Sequence, residues 1–423
     1  MTTTTPSLST RPISQISPAE WAKKNLFSNW QNTLLTIVSL LVLGWAAVSL
    51  FSWVFAKADW AVVRNNFRLF LVGRYPVQFL WRVWASLGLL VATAGLTWGV
   101  LARNSRLFDR RGLITLGTIA AIVVIGLALL TDPISIVFSL LVLVLLVGMA
   151  FVGQQLGRLQ PQLGLWLPLI WLVVYLLAFA LVRGLFFGRA IKLDDLSGLM
   201  LTLLVASIAI VVSFPFGVLL ALGRRSELPV IRWLSVLYIE LVRGLPLITI
   251  LFASQLLVPL ALPNTIRTDR VVRVTIGFIL FSAAYVAENV RGGLQAVPRG
   301  QSEAAKALGM NPVLTTSLIV LPQALKAVIP TMVGLFISLF KDTSLMAIVG
   351  LTELLGMGQS ILANPEYLGR SGEVYMFIGL IYFICCYAMS LASRRLEKQL
   401  NAPRGNITIA EPALQPSTGG DLA

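Results

Sequence analysis

Long apolar stretches alternate with short polar ones along nearly the whole chain. Their length is the one that a bilayer core of about 30 Å asks of a helix, roughly 20 residues. Seven stretches carry no charge: residues 33–56, 83–102, 112–131, 133–157, 159–182, 196–223 and 374–393. Three more, at about 233–257, 274–291 and 323–349, hold ionisable groups inside or at one end. The pattern predicts ten transmembrane helices. Residues 1–32, rich in Thr, Ser and Pro, read as a disordered cytoplasmic terminus, and 401–423 as a cytoplasmic tail. Residues 57–82 interleave Trp60, Phe67, Phe70, Tyr75 and Trp81 with arginines, which suits an interfacial helix on the outer face. A signal peptide is the alternative for the first apolar run, because Ala56 and Ala58 flank Lys57 as at a cleavage site. The run is too long for a signal core and the polar lead before it too extended, so an uncleaved span is preferred.

Composition agrees with this. Of 423 residues, 57% are hydrophobic and 12% charged, with a mean hydropathy of +0.85. A soluble chain carries about 25% charged residues. The absence of histidine removes the commonest general base and nitrogen metal ligand, so zinc-hydrolase and Ser-His-Asp chemistry are excluded. Cys385 and Cys386 are adjacent in an apolar run and are expected to fill space rather than to bind metal or cross-link. The net charge of +15 lies in short clusters between apolar runs, as in membrane-protein loops, and not as a nucleic-acid surface. With both termini inside, the inner loops carry 19 Lys and Arg against 12 outside, which favours cytoplasmic termini. The chain divides near Asp194. Residues 33–193 form a five-span region of almost pure apolar character, and residues 194–400 hold spans with Pro, Gly and buried charge.

Between two of these later spans runs Val297-Pro298-Arg299-Gly300-Gln301-Ser302-Glu303-Ala304-Ala305-Lys306-Ala307-Leu308-Gly309-Met310-Asn311-Pro312. Proline first, helix formers through Leu308 and Gly309 after them predict a short, separately capped helix. Asn311 as N-cap and Pro312 in the first turn then restart a second helix. Ala304, Ala305 and Ala307 would allow close approach by another protein, with Glu303 and Lys306 setting register by charge.

Glu303-Ala304-Ala305, Gly309, Ile319 and Leu321-Pro322 stand at the spacing of the signature loop of ATP-binding-cassette importer permeases, which the chain therefore resembles. The stretches Glu240–Leu247, Ala287–Gly293 and Lys341–Leu345 resemble the polar amino-acid uptake branch of that family, over roughly residues 196–400. The extra spans in front are similar to the longer permease of general L-amino-acid importers. The resemblance implies an all-α polytopic fold, a type I importer core of five helices preceded by about five further transmembrane helices. It implies a non-enzymatic permease in the bacterial inner membrane, coupled through Glu303, Ala304, Ala305 and Gly309 to a cytoplasmic ATPase dimer. It also implies a second homologous permease, a heterodimer more readily than a homodimer, and an extracytoplasmic amino-acid-binding protein, all set in membrane lipid. No G-x-x-x-x-G-K-[ST] phosphate loop occurs in the chain, so ATP and Mg are expected on the partner ATPase and no cofactor here. The rival reading is an ion-coupled secondary transporter of small polar solutes, but its inverted repeats are not seen.

Charged groups within spans are costly and mark partners or a water-filled pathway. Glu240 and Arg243, three apart, are expected to pair on one helix face and pin a kink ahead of Pro246, or else to gate or touch substrate. Glu288 and Arg291 repeat that spacing. Lys341 and Asp342 fall in the outer half of the bilayer and need separate partners; an amino acid offers both charges, and Thr343 and Ser344 add hydroxyls. A structural network is the other reading of these four.

Overall fold

The computed structural model describes residues 17–103, 133–185, 188–263 and 268–401, and every regular element among them is helical. Eight of these helices are long and apolar enough to span a bilayer, nine if one sharply bent pair counts as a span. The span expected at 112–131 lies outside the described residues.

Residues up to Trp60 form one unit. Within it, α1 (Pro18–Asn25) starts at a capping box: Ser17 Oγ accepts from Glu20 N–H at 3.2 Å, and Glu20 Oε2 accepts from Ser17 N–H at 3.3 Å. The expectation of disorder up to residue 32 is thus corrected for residues 18–25, where local capping outweighs a polar composition. Asn29 caps α2 (Trp30–Ser52), which has no buried residue and is apolar all round, as a lipid-facing span must be.

The second unit begins at Ala61. The aromatic-arginine segment does form a helix, α3 (Ala61–Val72), but protein covers its apolar face: Val62, Val63 and Phe70 are buried. Phe70 meets Phe377 edge-on at 5.0 Å, so the reading of a helix simply resting at the outer interface is corrected. The helices α4 (Leu80–Leu101), α5 (Pro133–Leu159) and α6 (Leu163–Arg183) come next. Gly95 and Gly99 of α4 face the backbone of α5, and Gly153 and Gly157 of α5 face the backbone of α4. A Cβ at Gly99 would overlap the Ala150 carbonyl, and one at Gly153 the Leu96 carbonyl. Lipid tails are as apolar as leucine, so such close backbone contact, rather than escape from water, holds these helices together.

Within this bundle Tyr75 Oη donates to the Val182 carbonyl at 2.7 Å, and Tyr175 Oη, 2.7 Å from Ser207 Oγ, ties it to the helices that follow. The remaining elements are α7 (Gly198–Arg224), α8 (Pro229–Arg243), α9 (Leu247–Ala261), α10 (Arg270–Ala296), α11 (Arg299–Ala307), α12 (Leu321–Asp342), α13 (Leu354–Leu362) and α14 (Ser371–Asn401). Among them α10 is central: Val274, Phe278, Ala284, Val286, Ala287 and Val290 are fully buried. Gly217 lets α7 approach Val286, and Gly293 lets α12 approach through Ala324.

The expected span at 233–257 is corrected. It is two 15-residue helices, α8 and α9, meeting at 114° across Gly244-Leu245-Pro246. Pro246 has no N–H to continue α8 and disfavours helical torsions at Leu245, so the chain turns there. At 1.5 Å per residue each piece is roughly 22 Å long, too short to cross alone.

Candidate functional site

The loop 297–312 has the two-helix form that its sequence predicts. Helix α11 closes in a Schellman motif: Gly309 N–H donates to the Lys306 carbonyl at 2.9 Å and Met310 N–H to the Ala305 carbonyl at 3.1 Å. Gly309 has φ +75°, a torsion that a side chain resists, and nothing else lies within 4 Å of its missing Cβ. Asn311 Oδ1 then accepts from Leu314 N–H at 2.8 Å and starts the next helical segment. Glu303, Ala304 and Ala307 are exposed, whereas Ala305 is buried within the chain. Ala305 therefore does not belong to a surface for another protein, against the expectation from its helix position alone. Two exposed residues were missed, Leu308 at 83% and Val313 at 74%; the signal was a large apolar side chain in an otherwise polar loop.

At the end of α7 and α10 lies a cluster of five charges. Glu240 and Arg243 do not pair with each other, which corrects the expectation from their spacing. Glu240 accepts from Arg224 Nη1 at 2.9 Å, while Arg243 Nη1 lies 3.4 Å from Glu288 Oε2. Glu288 also accepts from Arg291 Nε at 2.9 Å and has Arg224 at 3.6 Å. Arg224, which sequence spacing could not place, thus bridges two carboxylates on two other helices. One carboxylate faces three guanidinium groups: Arg291 pairs with it from three residues along the same helix, while helix packing brings Arg224 and Arg243 to it.

Lys341 and Asp342 end α12, and neither side chain makes a hydrogen bond or ion pair among the described residues. Lys341 is exposed and Asp342 half-buried. They continue an exposed row of small and polar residues, Gln323, Ala327, Pro330, Gly334 and Ser338, spaced three or four apart on one face. Exposed positions on α14 include the large apolar residues Leu380, Phe383, Ile384 and Leu391, as lipid contact favours. Ser344 is half-buried, but Thr343 is fully buried and donates to the Phe340 carbonyl at 2.6 Å, so its hydroxyl does not join the exposed row.

A carboxylate that no motif pointed to, Glu353, is wholly buried at the start of α13. Its Oε1 accepts from Gly356 N–H at 2.9 Å, and its Oε2 meets Tyr382 Oη at 3.2 Å and Thr202 Oγ1 at 3.3 Å. Burial pushes this carboxyl up from 4.5 to about 7, against the opposing pull of those hydrogen bonds. No cluster of side chains suited to a metal ion occurs among the described residues.

Residues 213–401 match the family model described as "Binding-protein-dependent transport system inner membrane component". The inner membrane amino-acid ABC transporter permease protein YhdY of Escherichia coli is 36% identical over 401 residues, covering 91% of this chain and 93% of the relative. The glutamate/glutamine/aspartate/asparagine transport system permease protein BztC of Rhodobacter capsulatus is 36% identical, covering 92% and 95%. The probable glutamine ABC transporter permease protein GlnP of Bacillus subtilis, also 36% identical, covers 47% of this chain and 90% of its own length. The family match falls on the half that carries the charges and the two-helix loop, and the two longer relatives, covering more than nine-tenths of the chain, extend over the preceding spans as well. On the likeness to these permeases over nine-tenths of its length, the chain belongs to the family of binding-protein-dependent transport-system inner membrane components, the permease subunits of ABC transporters.

Proposed function

We propose that this permease imports amino acids and forms half of a translocation pathway, with α12 lining it and Lys341, Asp342 and Ser344 at its outer gate. The observation that carries this reading is the exposed polar row on α12, ending in two charged side chains with no hydrogen-bond or ion-pair partner among the described residues. A charged pair in a membrane helix is stable only beside water, substrate or another chain. The relatives named for amino-acid transport support the substrate class, because a zwitterion matches an ammonium and a carboxylate held side by side. Helix α11, with Glu303, Ala304, Leu308, Gly309 and Val313, is the contact for a cytoplasmic ATPase dimer, which binds the ATP and Mg. Glu240 and Arg243, through Arg224 and Glu288, tie the broken helix to α10, which leads into α11. An extracytoplasmic amino-acid-binding protein delivers substrate, and a second, different permease supplies the other half of the pathway within the lipid. Both termini are cytoplasmic in this arrangement. The fold and the relatives offer no support for coupling to an ion gradient instead.

Asp342→Asn tests the pathway. The substitution keeps shape and hydrogen bonding but removes charge. The complex is expected to purify intact, with uptake lost and ATP hydrolysis no longer stimulated by the loaded binding protein. An unstable complex would show that the carboxylate neutralises a neighbour, since an unpaired buried charge costs about 3–5 kcal/mol. Wild-type uptake would show that it has neither role.

A further inference from the structure

The protons around Glu353 can be counted. The carboxyl accepts from two backbone N–H groups, Gly356 (at Oε1) and Leu355, and its Oε2 faces two hydroxyls, Tyr382 and Thr202. Tyr382 Oη in turn lies 3.4 Å from Thr343 Oγ1, whose own proton goes to the Phe340 carbonyl. Thr202 Oγ1 accepts from Leu354 N–H at 3.2 Å and has a second acceptor for its proton, the Gly198 carbonyl at 3.3 Å. If Glu353 is ionised, Tyr382 gives its single proton to the carboxylate, and the Tyr382–Thr343 contact is two oxygens with no hydrogen between them. If Oε2 carries a proton, it donates to Tyr382, Tyr382 donates to Thr343, Thr343 donates to Phe340, and Thr202 turns to Gly198. Four of the five contacts then hold one hydrogen, and the chain from Oε2 through Tyr382 and Thr343 to Phe340 is complete, whereas the ionised state fills only three. The step adds one proton from water to Oε2 and breaks no covalent bond.

The surrounding charges do not replace that proton. Arg64 and Arg68 of α3 are exposed, and Arg74 reaches Ser360 at 3.3 Å. On α14, Glu373 pairs with Arg370 at 3.8 Å. Ahead of α7, Asp194 faces Arg270 at 3.8 Å, and Lys341 and Asp342 stand at the far end of the chain of contacts. Tyr382 is the one titratable side chain touching Glu353 among the described residues.

We propose that Glu353 is a protonatable positioning residue: its proton completes the hydrogen-bond chain through Tyr382 to Thr343 and so holds the turn that presents Lys341 and Asp342. The proposal rests on the pathway reading of those two residues. Four elements meet in this knot, α7, α12, α13 and α14, so a change in one hydrogen bond is felt where α12 ends. The carboxyl's position near neutrality puts the change within the pH range that an outer membrane face meets.

The test is uptake by the complete reconstituted transporter between about pH 5.5 and 8.5, a range set around the titration of this carboxyl. Wild-type uptake is expected to change several-fold across a transition near neutrality. Glu353→Gln, whose amide donates to Tyr382 at every pH, should be flat and match the acid limb. Tyr382→Phe, which cuts the chain, should be flat and match the alkaline limb. Basal ATP hydrolysis should keep one profile in all three. A wild-type pH profile in either assembled variant overturns the proposal. If a variant fails to assemble, infrared difference titration of the wild-type complex decides. A carboxylic-acid band that vanishes between about pH 6 and 8 supports the proposal, and the absence of any titrating carboxyl in that range overturns it. Wild-type uptake by Asp342→Asn would remove the pathway reading while leaving that titration in place, so the two failures are distinct.

Discussion

Gly309 contributes a backbone torsion and its N–H but no side-chain contact, since open space surrounds it and its φ is +75°. Alanine there costs only about 1 kcal/mol. Proline, fixed near −65°, cannot adopt the torsion, and it deletes the N–H that bonds Lys306. Gly309→Pro is therefore expected to abolish uptake while membrane insertion persists, and Glu303→Lys to do the same by reversing charge on the exposed face of α11. Normal uptake with either change removes the coupling role. A second residue-scale expectation concerns stability. Between about pH 4.5 and 7 the folded chain holds a proton on Glu353 that the unfolded chain has released, so stability falls as pH rises through that window and levels off above it. The loss amounts to about 3 kcal/mol. Melting of the purified protein should show it, and Glu353→Gln should not. Caps such as Gly309 and Asn311 were legible in the sequence because they are decided within a few residues. The partners of Glu240 and Arg243 were not, because they sit on other helices. Glu353 gave one sign, as the lone charged residue between Asp342 and Glu366.

Whole elements were read from apolar length, and length succeeds where a helix is straight. It fails at Pro246, where one apolar run averages over two short helices, and at α3, whose aromatic face fits protein as well as it fits lipid. Helix-helix contacts are written in a different code, the paired glycines four residues apart on α4 and α5. Gly99→Leu or Gly153→Leu must push backbones apart, an overpacking that costs roughly 1–3 kcal/mol. Each should lower the melting temperature. Gly148→Leu on the same α5, where a side chain meets nothing within 4 Å, should leave it unchanged and serves as the control.

For the molecule as a whole, the orientation proposed from charge bias has α11 on the inner side and α3 on the outer. In a background with Cys385 and Cys386 replaced, single cysteines at Arg106 and Ser302 should resist an impermeant thiol reagent in intact cells, and one at Asn66 should react. Labelling of Ser302 from outside would refute both the orientation and the ATPase contact. The exposed polar row on α12 has a consequence for biogenesis. Synthesised alone, the chain must present Lys341 and Asp342 to hydrocarbon, where each ionised group costs about 2.5–3.5 kcal/mol at mid-bilayer and less toward the surface. An orphan copy is then expected to be a poor lodger in the membrane and a ready substrate for quality-control proteolysis. Pulse-chase labelling should find the unpartnered subunit short-lived, and co-expression of the second permease proposed above should lengthen that lifetime.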